Sequence, residues 1–291
     1  MFKKISKKNK KIVCIVGYGK SGSTLLGNML GQIKGYFDIG ELISVDLAIE
    51  SINKCSCGRV IQDCNFWEKV FVKSIENQNK LDMKTWKFLH NKYFPLILTY
   101  SNKSLNRKFE QLKKIYMQVL EQSKADVIVD SSKSVLYAYI LSKILDIDVY
   151  FVHLVRDMYA VEYSMHKLKK QGHPKFINSN PFIDTIQWIA NNKLCKYLSN
   201  NNIYIKVDYE KLIKTPKKTI ETICKKIGDK NPDLSFIKGN KILKTTNHNI
   251  GGSRIRLKKG LVDLKVDNSW KNNLPKRSYN IIKLLKMLTG S

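Results

Sequence analysis

The first clear pattern along the chain is an apolar run, Ile12-Val-Cys-Ile-Val16, with no polar break. A run of this kind is what a parallel strand covered on both faces requires. After a glycine-rich stretch, Leu25, Leu26, Met29, Leu30 and Ile33 recur at helical spacing, which predicts a helix with one apolar face. Further strands are expected at Val127–Asp130, Val149–Val155 and Ile203–Asp208, the last more strictly alternating. Helical patterns fill the intervals: Leu112–Gln122, Val135–Leu145, Tyr159–Leu168, Phe182–Leu198 and Pro216–Ile227. Strands alternating with helices predict an α/β fold, a P-loop-like three-layer α/β/α arrangement around a central, mostly parallel sheet. From Phe71 to Asn106 the chain is polar, rich in Lys, Asn and aromatics, and carries no strand signal. That stretch reads as a helical cap over the ligand edge of the sheet or as a surface insertion. The simplest organisation is one domain over residues 1–291, with residues 1–11 as a basic tail.

Chemistry enters at the glycine-rich stretch, Gly17-Tyr-Gly19-Lys20-Ser21-Gly22-Ser23-Thr24. A triphosphate-binding loop has the spacing G-x-x-x-x-G-K-[ST], with lysine directly after the second glycine. Here Ser23 holds that place and the lysine has moved inside the loop, to Lys20. The glycines, the hydroxyls of Ser21, Ser23 and Thr24, and the following helix N-terminus still suit an anion. The cation that spans the terminal phosphates of a triphosphate is missing. A ligand with a single 5′-phosphate is therefore expected, with Lys20 serving a different oxygen. The rival reading is a kinase or nucleotide triphosphatase with a degenerate loop, since Val127-Ile-Val-Asp130 imitates a strand-borne magnesium ligand.

With Leu25-Leu26 added, the loop resembles the 5′-phosphosulfate loop of sulfotransferases that use 3′-phosphoadenosine 5′-phosphosulfate (PAPS). Arg156, closing the Val149–Val155 strand, and Ser164, eight residues on, resemble that family's 3′-phosphate motif. A guanidinium makes paired bonds to phosphate and a hydroxyl completes the cradle. Val207-Asp-Tyr209-Glu-Lys-Leu212 is similar to a strand end whose tyrosine lies near the adenine. The segment from His248 to Gly260, followed by Trp270, resembles the family's closing segment over the cofactor. Within it Arg256 best matches the phosphate-binding arginine, with Arg254 and Lys259 as the other candidates; Gly-Gly-Ser stands where bacterial members more often have a Gly-Asn-Pro-like turn. The resemblance runs from Lys11 to Leu274 and leaves Phe71–Asn106 uncovered.

This resemblance implies transfer of a sulfuryl group from PAPS to a hydroxyl or amine, releasing 3′,5′-ADP, with no metal required. Gly19 to Thr24, Arg156, Ser164, Tyr209 and the basic C-terminal residues would bind the donor. Lys20 is placed to stabilise the leaving oxygen. Glu41, in Phe37-Asp-Ile-Gly-Glu41 after the first helix, resembles the catalytic glutamate of carbohydrate- and tyrosine-type members. A carboxylate shielded from water suits general-base work. Lys133, in Asp130-Ser-Ser-Lys133, is a candidate second cation, His153 reads as a core histidine, and His248 is a contact residue rather than the base. Cys55, Cys57 and Cys64 raise a zinc reading, but the C-x-C spacing is tighter than in most structural pairs and no fourth ligand is near in sequence. No metal site is therefore expected. Asp63, Phe66 and Trp67 read as packing around a short helix near the acceptor cleft.

Composition adds a formal net charge of +28, beside ordinary hydrophobic and aromatic fractions of 43% and 10%. The surplus favours anionic partners, including peripheral contact with an anionic membrane, but the lysines are scattered and form no nucleic-acid motif. Six cysteines do not make a disulfide scaffold, and no apolar run reaches the ~18 residues of a membrane span. The basic start followed by Ile12–Val16 imitates a secretory signal, but its apolar part is too short, so a cytoplasmic or membrane-peripheral location is expected. A basic, aromatic-bearing cap suits an anionic carbohydrate or a glycolipid as acceptor.

Overall fold

In a computed structural model, residues 10–44, 54–75, 103–198 and 204–290 are described. Their core is a five-stranded sheet: β1 (Lys11–Val16), β2 (Tyr36–Gly40), β3 (Val127–Lys133), β4 (Asp148–Val155) and β5 (Tyr204–Asp208). The order is β2-β3-β1-β4-β5 and each neighbouring pair is parallel. Period-two alternation divides β1 between two cores. Ile12, Cys14 and Val16 face one side with Phe151, Tyr116 and Trp67, while Val13 and Ile15 face the other with Leu26, Met29 and Ile223. Both faces are covered, as the unbroken apolar runs required.

The first side is covered by α2 (Asn65–Ile75), α3 (Lys103–Ser123) and α4 (Val135–Ile144); the second by α1 (Ser23–Leu30) and α8 (Pro216–Ile227). Beyond β4 come α5 (Met158–Lys170), capped by the Asp157 side chain, and α6 (Pro181–Leu198); α7 (Tyr209–Lys214) follows β5 directly. Near the C-terminus, α9 (Trp270–Asn273) and α10 (Lys276–Thr289) close the chain, with Ile282 of α10 packed on Met158 and Trp188.

Two features depart from the sequence reading. Phe37-Asp-Ile-Gly is part of edge strand β2, where the pattern predicts no strand, and the carboxylate of Asp38 in its middle is satisfied inside the protein. Asn28 and Asn249 donate to it at 2.7 and 2.6 Å, and the Gly40 amide donates at 2.9 Å. A small antiparallel sheet, β6 (Ile237–Lys238), β7 (Lys241–Lys244) and β8 (Gly260–Asp263), also forms, and the Thr245–Lys259 excursion leaves and rejoins it. His153 is the core histidine expected, buried and bonded to the Tyr204 hydroxyl at 2.6 Å and to Asn192 at 2.9 Å. Most of the Phe71–Asn106 cap lies outside the described residues; α2 and α3, which flank it, pack together. Among the described residues no helix is long and apolar enough to cross a membrane.

Candidate active site

The loop between β1 and α1 sits at the carboxyl edge of the sheet, held by close contacts that only its sequence permits. Gly17 has φ +142° and a Cβ there would lie 2.5 Å from the Leu154 carbonyl oxygen; Gly22, at φ +94°, faces the Tyr209 ring at the same distance. No side chain caps α1 at Gly22, so its first turn keeps N–H groups for an anion. Lys20 adopts the left-handed conformation, φ 66°, which is costly for a side-chain-bearing residue. Arg156 stabilises that turn by donating to the Lys20 carbonyl oxygen at 3.0 Å.

Arg156 in turn lies over the Tyr209 ring, 4.6 Å from its centre, and its own carbonyl accepts a bond from the Trp188 indole at 3.2 Å. Arg156 and Tyr209 therefore meet against the loop at Gly22. Ser164 is half-buried in the second turn of α5. Two donors here are buried without a partner, the Ser21 hydroxyl and Arg156 Nε. Buried polar atoms are normally paired, so these two donors are free to bond an anionic oxygen.

A bulge brings a second lysine to the same place. The β1–β3 register shifts between Cys14 and Val16, and the Gly17 amide donates to the Lys133 carbonyl at 3.0 Å. Lys133 is also left-handed, φ 69°, so two of the three such non-glycine residues described are the site lysines. Its ammonium forms an ion pair with Glu41, just beyond β2. Lys20 rests over the Phe176 ring at 4.8 Å. Burial, then repulsion from Lys175 and Lys133, lowers the Lys20 pKa, with Glu41 acting in the opposite sense. The cations thus crowd an edge where an anion would relieve them.

The C-terminal excursion closes over this edge. Ile250 forms a parallel bridge with Gly40, and the Glu41 amide donates to its carbonyl at 2.7 Å. Gly251 and Gly252 then pass directly over Glu41: Cβ atoms there would lie 2.9 Å from Glu41 Cβ and 2.7 Å from Thr24 Oγ1. The Gly-Gly-Ser departure from the family turn is therefore a steric requirement of this chain. Ser253 donates its amide to Thr24 Oγ1 at 3.1 Å, leaving the threonine hydroxyl its own proton to donate. Arg256 reaches back to the Lys54 carbonyl at 3.0 Å with its Nε buried and unpartnered, whereas Arg254 and Lys259 are exposed.

Local sequence reasoning missed the supports of this closing segment. Asn249 is tied to β2 through buried Asp38, and buried Lys244 donates its ammonium to the Ile255 carbonyl. Desolvation lowers Lys244 to a pKa of about 8. Only a charged pair of residues far apart in sequence could have signalled them.

A sequence profile described as the Sulfotransferase family matches residues 13–233. Among solved structures, the chain is similar to the sulfotransferase domain of the Synechococcus PCC 7002 olefin synthase, at 19% identity and TM-score 0.51 over 98% of each chain. It is likewise similar to the sulfotransferase domain from the curacin biosynthetic pathway, at 18% identity and TM-score 0.52, covering 95% of this chain and 98% of that one. No curated protein sequence matches. The two structural likenesses establish the α/β fold, and the profile, spanning most of the chain, establishes that this protein belongs to the sulfotransferase family.

Proposed function

We propose that this transferase moves a sulfuryl group from PAPS to a hydroxyl, or an amine, of an acceptor. The carrying observation is the pair of buried, partnerless donors, Ser21 Oγ and Arg156 Nε, beside the uncapped start of α1. Ser21, Ser23, Thr24 and the loop amides of Gly19 and Gly22 would hold the 5′-phosphate. Arg156 and Ser164 would take the 3′-phosphate, with Arg256 closing from the C-terminal segment and Arg254 and Lys259 supplying outer positive charge. Tyr209 would flank the adenine. Bound there, PAPS supplies a sulfuryl group whose departure leaves negative charge on a phosphate oxygen.

Lys20 holds its ammonium where that charge develops. Glu41 accepts the acceptor's proton, and Lys133, its ion-pair partner, keeps the carboxylate oriented between β2 and β3. In this reading Lys20, rather than magnesium, meets that charge. The kinase alternative needs Asp130 at the loop, but Asp130 is buried and accepts from the Tyr116 hydroxyl at 2.5 Å and the Ser132 amide at 2.7 Å.

For the acceptor, a carbohydrate or glycolipid remains our reading. Ile177, Phe182, Ile183 and Ile186 are exposed on the segment that follows Phe176, and Gln187 accepts from the loop residue Tyr18 at 3.4 Å. An apolar rim beside a cationic cleft suits an amphipathic, sugar-bearing lipid at an anionic membrane surface, and the scattered lysines give no reason to invoke a specific nucleic acid. The deciding measurement is a thermal-shift comparison followed by transfer from labelled PAPS. Stabilisation by 3′,5′-ADP without added magnesium, together with label transfer to a glycolipid panel, is expected. Stabilisation by Mg·ATP alone would replace this reading with the kinase.

A further inference from the structure

The hairpin that leads into α2 gathers three cysteines that the sulfotransfer chemistry does not use. Lys54 and Val60 pair across it, and Gly58 turns it with φ +99°. The sulfurs of Cys57 and Cys64 are 3.8 Å apart and those of Cys64 and Cys55 are 3.7 Å apart. All three thiols are free. The fourth member arrives from the far end of the chain: His248 Nδ1 lies 3.2 Å from Cys64 Sγ and 3.8 Å from Cys55 Sγ. All four ligand atoms fall within 4.8 Å of one another.

These separations have a specific meaning. Zinc–sulfur bonds of about 2.3 Å at tetrahedral angles place two sulfurs about 3.8 Å apart, and a sulfur and an imidazole nitrogen about 3.5 Å apart. The observed sulfur edges match the first figure, and the two sulfur–nitrogen edges straddle the second. A disulfide, by contrast, needs sulfurs about 2.05 Å apart and uses cysteines in pairs. We propose that Cys55, Cys57, Cys64 and His248 form a structural zinc site, with His248 binding through Nδ1.

The surroundings support the assignment independently of the edge lengths. The amides of Cys57 and Arg59 donate to the sulfurs of Cys55 and Cys57, as expected for a turn that holds thiolates. The imidazole of His248 stacks on Phe66 at 5.3 Å, and its carbonyl accepts from the Trp67 indole at 2.6 Å, so one contact orients the ring and the other fixes the backbone that carries it. Cys55 and Cys64 are fully buried, with Cys57 and His248 half-buried, and four protein ligands leave no position for a substrate. Three thiolates and an imidazole favour zinc over magnesium or calcium, which prefer oxygen. The sequence withheld the site because its fourth ligand lies 184 residues beyond Cys64.

The ion would fasten the closing segment. His248 directly precedes Asn249–Ser253, the stretch lying on Asp38, Glu41 and Thr24. Ser56 of the hairpin reinforces the junction, donating its hydroxyl to the Asn247 carbonyl at 2.6 Å and accepting the Asn249 amide at 3.0 Å. A metal tying the hairpin to His248 therefore holds the lid of the donor site to the sheet edge, and its binding adds to folding stability.

The test uses the full chain, reduced, loaded with zinc and desalted, with metal read by elemental mass spectrometry. One zinc per chain is expected, falling to background in Cys64→Ser, while Cys224→Ala, outside the cluster, keeps it. Should Cys64→Ser not fold, cobalt titration of the wild-type protein decides alone. One equivalent should give the intense thiolate-to-cobalt absorption of a tetrahedral site, and zinc should bleach it. Wild-type protein that keeps no zinc and gives no such absorption overturns the proposal. Both readouts report the metal alone, so their failure is distinguishable from a failure of the PAPS reading, which the thermal-shift comparison tests separately.

Discussion

Asp130 on β3 and Glu41 just past β2 stand on adjacent strands; Gly40, the residue before Glu41, is the register partner of Asp130. Their surroundings differ in kind. Asp130 is turned into the core, satisfied by Tyr116 and Ser132, with the Tyr137 hydroxyl 3.1 Å from that of Tyr116. Burial raises its pKa to about 6. Glu41 is also buried, but it is ion-paired to Lys133 and covered by the Gly251–Gly252 backbone. The strand end that would present a magnesium ligand in a triphosphatase is here a core support, and the carboxylate we propose as the base lies one strand over, among cations. Under the proposed reading, the two carboxylates separate structural support from catalysis within one sheet edge.

The sharpest way to break this comparison is at the cationic side. Lys20→Ala should lower turnover by about 10²–10³ fold, the usual loss on removing a donor to a developing oxyanion. Calorimetry should show 3′,5′-ADP binding far less affected; equal losses in both would make Lys20 a binding residue only. Next, Glu41→Gln should cost about 10² fold or more in kcat at saturating acceptor, whereas Asp130→Asn should leave kcat within a few fold. Similar losses in the two variants would dissolve the distinction. Arg156→Ala should then weaken 3′,5′-ADP binding by roughly 10–100 fold, a charged hydrogen bond being worth about 1.5–3 kcal/mol. Part of that loss should come through Lys20, whose left-handed turn Arg156 holds.

How much of this was readable in the chain divides along the same line. β1, β3 and β4 announced themselves because strands covered on both faces are continuously apolar, and the helix at Pro216–Ile227 has the bounds its pattern predicted. Lys20, Arg156 and Tyr209 were legible because the loop and strand ends are local motifs, and the fold brings all three together. β2 was not legible, since Asp38 in its middle is acceptable only through Asn28 and Asn249. The same holds for β6–β8, whose strands of two to four residues are too short to show a readable alternation. The convergence of His248 on the cysteines is likewise a product of the fold, as no local spacing encodes a partner this distant. Local chemistry could be read directly; partners made by long-range closure could not.

The stability of the Asp130 side offers a test by pH. Its carboxyl has a folded pKa raised above the ordinary 3.8, so the folded state binds the proton more tightly than the unfolded chain. By linkage its contribution is fully present below about pH 4, is lost as pH rises toward about 6, and is constant above. The stability of wild type relative to Asp130→Asn should therefore fall by roughly 2 kcal/mol between about pH 4 and pH 7, measured by urea unfolding. A difference that does not change with pH would mean that Asp130 is not desolvated in solution.

The smallest effect should come from Tyr116→Phe. The Tyr116 hydroxyl bond to Asp130 favours the ionised carboxylate and so works against the burial that raises its pKa. Removing it leaves the charge less compensated, moving the Asp130 pKa further up. At pH 7 the variant should lose about 1.5 kcal/mol, the low end for a hydrogen bond to a charged group, and less near pH 4, where the folded-state carboxyl is neutral. Urea melts at the two pH values give the sign directly. A larger loss at the acidic value would show that the bond serves the protonated carboxyl instead. Turnover should be unchanged at either pH, because the Tyr116 hydroxyl bonds only within the core, to Asp130 and Tyr137, among the described residues, and that indifference is what separates Asp130 from Glu41.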